Sequence, residues 1–119
     1  MFRRQISLFA TTAFFLVATT ALAHSRPKTM SPEPNSTIAS PTEVSVYFTE
    51  ALEPKFSSLQ LMDADGKVLS KDASKPDAAD SKHLSLPLPK LAPGIYYVHW
   101  VTASADGHRM NGDYKFTVK

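Results

Sequence analysis

This sequence predicts an all-β domain, a two-sheet antiparallel sandwich or a small barrel, and three observations carry that prediction. Nine prolines are spread so evenly that no stretch free of proline and glycine shows sustained apolar spacing of 3.6 residues, which makes helices improbable. Apolar and polar side chains alternate instead in five separate segments. Turn signals stand between those segments.

Taken in chain order, Val44, Val46 and Phe48 point one way while Glu43, Ser45, Tyr47 and Thr49 point the other, the pattern of a half-buried strand. Leu59 and Leu61 mark a second strand. Asp65-Gly66 follows it, a dipeptide that supplies positive φ in a tight hairpin, with Lys67-Val68-Leu69 beyond the turn. From Lys71 to Lys82 the chain is polar, with no apolar side chain larger than the ring of Pro76, and reads as a solvated loop. Leu84 and Leu86 give a third strand. Ala92-Pro93-Gly94 turns the chain into the longest one, which carries Tyr96, Val98 and Trp100, and Tyr114, Phe116 and Val118 form the last. Pro32-x-Pro34 and Pro87-x-Pro89 fit edge strands, because proline cannot donate a ladder hydrogen bond. Neither an internal repeat nor a second domain is visible.

The folded domain is expected over residues 24–119, because residues 1–23 read as a cleaved secretory signal. Met1 to Gln5 is a short basic head, Ile6 to Ala18 is mostly apolar, and Ala21-Leu22-Ala23 supplies the small-x-small pattern of a cleavage site. Ser7, Thr11 and Thr12 interrupt the apolar run, which falls short of the roughly 18 to 20 unbroken residues of a membrane anchor. Loss of Arg3 and Arg4 brings the 13 basic residues of the chain level with its 11 acidic ones. No basic run remains to neutralise phosphates, so nucleic acid is not an expected partner. The absence of cysteine excludes a disulfide scaffold, a thiolate zinc site, an iron-sulfur cluster and a catalytic thiol.

Cleavage after Ala23 makes His24 the first residue of the secreted chain. Its α-amino nitrogen and Nδ1 then close a six-membered chelate ring on a divalent cation, and an amine with a pKa near 8 gives up its proton readily to such an ion. An amine and imidazole donor set suits Cu(II), which prefers tetragonal nitrogen and oxygen ligands. One residue fills only two positions, and Asp106-Gly107-His108 is the candidate for the others. On an extended segment residues i and i+2 share a face, and Gly107 lets the backbone turn, so carboxylate and imidazole can converge on one ion. Taken alone, Asp-Gly-His is also an ordinary turn signal.

His83 and His99 fall opposite the apolar faces of their strands and are expected to face solvent, not to bind metal. Met30, Met62 and Met110 are too scattered for a thioether cluster, although Met110, two residues after His108, could approach an ion axially. Ser104, Asp106 and His108 form a Ser-x-Asp-x-His string, but strand spacing sets them in series instead of in the mutual geometry of a catalytic triad. Glu50 and Glu53 read as a surface connection. Ser104 and Asn111 stand near enough to influence a metal site.

These residues resemble the CopC-type periplasmic copper-binding proteins, also known as copper resistance proteins. The resemblance covers almost all of residues 24–119. It is carried by Ala23 followed by His24, by Ser31-Pro32-Glu33-Pro34-Asn35, by Val44-Ser45-Val46-Tyr47-Phe48-Thr49-Glu50, and by Gly94-Ile95-Tyr96-Tyr97-Val98-His99-Trp100. Ser104-Ala105-Asp106-Gly107-His108, Gly112 and Phe116-Thr117-Val118 complete it. The resemblance implies an immunoglobulin-like or cupredoxin-like Greek-key β-sandwich with a Cu(II) site at one end, its ligands falling on His24, Asp106 and His108. It further implies one Cu(II) per chain, a periplasmic location, a role in copper homeostasis or resistance, and an inner-membrane partner of the CopD type. A monomer is expected. Some family members carry a Cu(I) site in a methionine-rich segment. Here the corresponding stretch from Lys55 to Lys82 contains only Met62, so that site is not expected.

The resemblance is to binding proteins, not enzymes. Two other classes compete: an oxidative copper enzyme built on an N-terminal histidine brace, and a metal-free immunoglobulin-like interaction module.

Overall fold

Alternating side chains sort eight strands onto two facing sheets. The computed structural model describes residues 24–119; the expected signal, residues 1–23, lies outside the described residues. The strands are β1 (Pro27–Ser31), β2 (Thr37–Ile38), β3 (Glu43–Phe48), β4 (Ser58–Asp63), β5 (Lys75–Asp77), β6 (Asp80–Pro87), β7 (Gly94–Ala103) and β8 (Arg109–Val118), with one 3₁₀ turn at Pro54–Phe56. The first sheet has the order β1-β3-β6-β5 and the second β2-β8-β7-β4. Every pairing is antiparallel except that of β2 with β8. The chain crosses repeatedly between sheets, and only β5–β6 and β7–β8 are consecutive strands paired within one sheet. The sandwich expected from sequence is therefore what forms; its alternative, a closed barrel, does not.

The apolar positions of the five alternating segments make the core. Val44, Val46 and Phe48 of β3 and Leu84 and Leu86 of β6 face Leu59 and Leu61 of β4, Val98 of β7, and Phe116 and Val118 of β8, all buried. Burying each such side chain is worth roughly 1.5–3 kcal/mol, so the core is the main source of stability in a chain without disulfides. Trp100 packs edge to face on Phe48 with ring centroids 6.2 Å apart. Directly opposite in the ladder stands Gly112, where a Cβ would lie 2.6 Å from the indole.

Four local expectations need correction. Lys71 to Lys82 is not a free loop, because it contains β5 and the start of β6, joined by a tight turn. Side-chain hydrogen bonds hold that turn: Asp77 Oδ1 accepts from the Ala79 N–H at 2.8 Å, and Asp80 Oδ1 from the Lys82 N–H at 2.9 Å. Pro87 closes β6, an inner strand, not an edge. It is tolerated because β5 reaches only to Ser85, and the next N–H, of Leu88, is the one that turns toward β3, bonding Thr42 at 2.9 Å. Pro32 and Pro34 lie just past the end of β1, an edge strand, and are not themselves in a strand.

The third correction is one of extent: Asp65-Gly66 makes the expected hairpin turn, with Gly66 at φ 81° and backbone bonds from the Asp63 N–H to the Lys67 carbonyl at 2.9 Å and from the Leu69 N–H to the Leu61 carbonyl at 2.8 Å, but the returning stretch is too short to form a strand. Val68 contributes a single bridge to Met62, and the hydroxyls of Ser70 and Ser74 accept the outward N–H groups of Leu61 and Leu59. The edge of β4 is thus capped by serine side chains. Last, β1 and β2 carry no alternating pattern and were not foreseen; ladder bonds to β3 and β8 hold them.

Because the indole of Trp100 fills the space a side chain at position 112 would need, Gly112→Ala should destabilise the domain by about 1–3 kcal/mol, measured by urea unfolding with an unchanged m-value.

Candidate metal centre

The end of the sandwich where β7 turns into β8 holds the residues with ligand chemistry. β7 ends at Ala103 and β8 begins at Arg109, and the intervening loop is closed by the Ser104 N–H to the His108 carbonyl and the Gly107 N–H to the Ser104 carbonyl, both 3.0 Å. Gly107 has φ 86°, a left-handed conformation that costs a side chain about 1–2 kcal/mol. Asp106 and His108 therefore converge because the backbone reverses between them. The turn at Gly107 is the one expected from sequence; the extended segment expected around it does not form.

Within this loop Asp106 is fully engaged. Its Oδ1 accepts from the Ser104 hydroxyl and from the His108 N–H at 3.1 Å, and its Oδ2 accepts from His108 Nδ1 at 2.8 Å. The Ser104 hydroxyl first, and the His108 imidazole second, hold the Asp106 carboxyl well below the usual carboxylate range. It is an anion at any pH at which the protein works.

His24 reaches the loop from the other end of the chain. Its neighbour Ser25 is 2 % exposed and tied to both sheets: its hydroxyl donates to the Glu50 carbonyl at 3.1 Å, and its carbonyl accepts from the hydroxyl of Thr102 on β7 at 3.0 Å. The Thr49 N–H bonds the Arg26 carbonyl at 2.8 Å, the Arg26 N–H bonds the Thr49 hydroxyl at 3.1 Å, and that hydroxyl reaches the His24 carbonyl at 3.3 Å. So pinned, the His24 ring stands edge-on to that of His108, with centroids 5.3 Å apart. His24 Nδ1 is buried and has no hydrogen-bond partner.

The structure thus brings His24 against His108 and sets Asp106 on His108. Among the described residues, no three His, Asp or Glu side chains stand in a ready-made metal cage. His99 is paired with Asp113 at 2.6 Å and is partly exposed. His83 is not solvent-facing as expected: its side chain is only 15 % exposed, bonded to Ser45 and Asp77 and stacked on Tyr47. Met110 does not stand alone either, since Met30, Trp100, Met110 and Tyr114 line one open cavity of about 410 Å³, with Asn111 at its side. Sequence reasoning missed Ser25 and Thr102. No motif marks them, because a serine and a threonine acquire that role only when the fold buries them together.

A family model, the CopC domain, matches residues 27–119. Copper resistance protein C of Escherichia coli is 36% identical over 110 residues, covering 87% of each chain. The crystal structure of CopC from Methylosinus trichosporium OB3b superposes with a TM-score of 0.75 at 36% identity, over 81% of this chain and 94% of that one. That of PcoC, titled a methionine rich copper resistance protein from Escherichia coli, gives 0.70 at 32% identity, over 82% and 100%. Copper transport protein CutJ of Bacillus subtilis is 28% identical over 83% of this chain, which corresponds to 19% of that longer protein. Family model, sequence likeness and superposition agree along nearly all of the described residues, and the chain belongs to the CopC family.

Proposed function

We propose that this chain is a periplasmic copper-binding protein that captures one Cu(II) ion for homeostasis or resistance. Copper is its cargo, and the centre binds without turnover. The observation that carries this reading is His24, with a buried and unpartnered Nδ1, set against the His108–Asp106 pair. An orphaned imidazole nitrogen normally incurs the cost of a lost hydrogen bond, and a bound cation removes that cost.

Cleavage after Ala23 frees the His24 amine to join Nδ1 in a chelate. His108, held by Asp106 through Nδ1 at 2.8 Å, would supply an imidazole nitrogen and Asp106 a carboxylate oxygen to the cation. Three nitrogens and one carboxylate oxygen make the tetragonal set Cu(II) favours. Ser104 stays on Asp106 Oδ1 and fixes the carboxylate from behind.

The kinship with copper resistance protein C supports copper as the cargo, and the presence of a similar segment inside a longer copper transport protein supports delivery to an inner-membrane transporter of the CopD type. A signal on residues 1–23 supports the periplasm. The serine-capped edge of β4 supports a monomer.

Competition titration of protein beginning at His24 should show uptake of one Cu(II), with three nitrogens in the electron paramagnetic resonance spectrum. One extra residue before His24 removes the terminal amine and should weaken binding roughly 100-fold; unchanged affinity would sink the chelate. His108→Ala should weaken binding strongly and Ser104→Ala roughly 10-fold, whereas His83→Ala should leave it nearly unchanged. Because Asp106 has a lowered pKa, it remains ionised as pH falls, so acid should release copper by protonating the nitrogen donors. Asp106→Asn should then lower affinity and raise the pH at which half is released, while the steepness of release, set by the nitrogen donors, stays the same.

A further inference from the structure

Outside the metal centre, the outer face of the first sheet assembles a serine, a histidine and an aspartate that are far apart in sequence. Ser45 Oγ lies 2.6 Å from His83 Nε2, and His83 Nδ1 lies 2.9 Å from Asp77 Oδ2. An ionised carboxylate only accepts, so the imidazole proton sits on Nδ1 and leaves Nε2 to take the serine proton. The three residues come from three adjacent strands, β3, β6 and β5. A bulge at Pro76/Asp77 shifts Asp77 out of the regular ladder, and such bulges re-aim side chains. The Ala79 N–H fixes the other carboxylate oxygen at 2.8 Å. The Tyr47 ring stacks on the imidazole at 4.1 Å and 6° from parallel, which holds its orientation.

Two more features complete the constellation. Ser31 on β1 and Ser85 on β6 are the ladder partners of Ser45 on either side, and paired residues share a face. By register they are the hydroxyl residues next to Ser45 on that face, the donors nearest to a developing oxyanion. His83 and Asp77 also line a cavity of about 100 Å³ with Leu52, Pro54, Pro76 and Leu84; Ser45 does not line it, so it can take a short apolar chain only on the His83 side of the serine.

We infer that Ser45, with His83 as base and Asp77 orienting that base, is an activated nucleophile that accepts acyl groups from small, short-chain esters. Ser45 Oγ attacks the carbonyl carbon while its proton passes to His83 Nε2. The bond to the alcohol oxygen then breaks, and the alcohol leaves with that proton. Water, deprotonated by the same nitrogen, releases the acid and restores the serine hydroxyl. This activity involves no copper and stands or falls apart from the metal centre.

The test uses the chain from His24 in the presence of EDTA, treated with an alkyl fluorophosphonate and mapped by mass spectrometry. The serine oxygen displaces fluoride from phosphorus, leaving one stable phosphonyl group. A single adduct on Ser45 is expected, together with hydrolysis of p-nitrophenyl butyrate that the reagent abolishes. His83→Gln should slow labelling roughly 100-fold, and Asp77→Asn should slow it roughly 10-fold. Circular dichroism checks that each variant is folded, and Asp77→Asn carries the test should His83→Gln loosen the sheet. No adduct, an adduct on Ser104 in place of Ser45, or labelling of folded variants at the parent rate would overturn the inference.

Discussion

One buried serine decides where His24 stands in space. Ser25 is bonded through its hydroxyl to the segment after β3 and through its carbonyl to Thr102 on β7, so the N-terminal segment is tied to both sheets at once. Without that tie, bringing His24 beside His108 would cost the ordering of the segment that precedes β1, about 1–2 kcal/mol per residue. The fold meets that cost before any ligand arrives. The approach of His24 to His108 is therefore a property of sandwich closure, although one residue precedes the first strand and the other lies on a hairpin loop.

Charge is arranged to the same end. The Asp106 carboxylate is kept ionised by groups from its own loop, the Ser104 hydroxyl first, so the negative charge is in place independently of any cation. A rigid anion beside an imidazole favours a divalent cation while requiring little rearrangement. Asp77 is treated likewise by His83, whose hydrogen bond lowers its pKa. Both carboxylates are bonded to an imidazole Nδ1, yet they differ in setting. His108 is half exposed at a loop, whereas His83 is largely covered beneath a tyrosine.

Much of the fold could be read because period-two alternation is a strong signal where one face of a strand is buried. Val44, Val46 and Phe48, Leu84 and Leu86, and Phe116 and Val118 all fall where alternation puts them. The strands that escaped notice are short, polar or proline-bearing: β1, β2 and β5 bury little, and neighbouring ladders, not their own side chains, stabilise them. At the site, donor chemistry could be read from His24, Asp106 and His108, and Gly107 marked the turn that joins the last two, but the hydrogen bonds from Ser104 that close that turn left no mark. Nor could sequence pair Ser45 with Asp77 and His83. The serine string visible in sequence was that of Ser104, and the arrangement with matched hydrogen bonds depends on a bulge and on strand order, neither of which leaves a local mark.

The Trp100–Gly112 contact has a further consequence. Trp100 is the one tryptophan of the sequence, and it touches Phe48 across the gap between the sheets. Its emission therefore gauges sheet separation: any loosening of the two layers wets the indole and shifts its fluorescence to the red. The molecule carries its own optical strain gauge, one that needs no label.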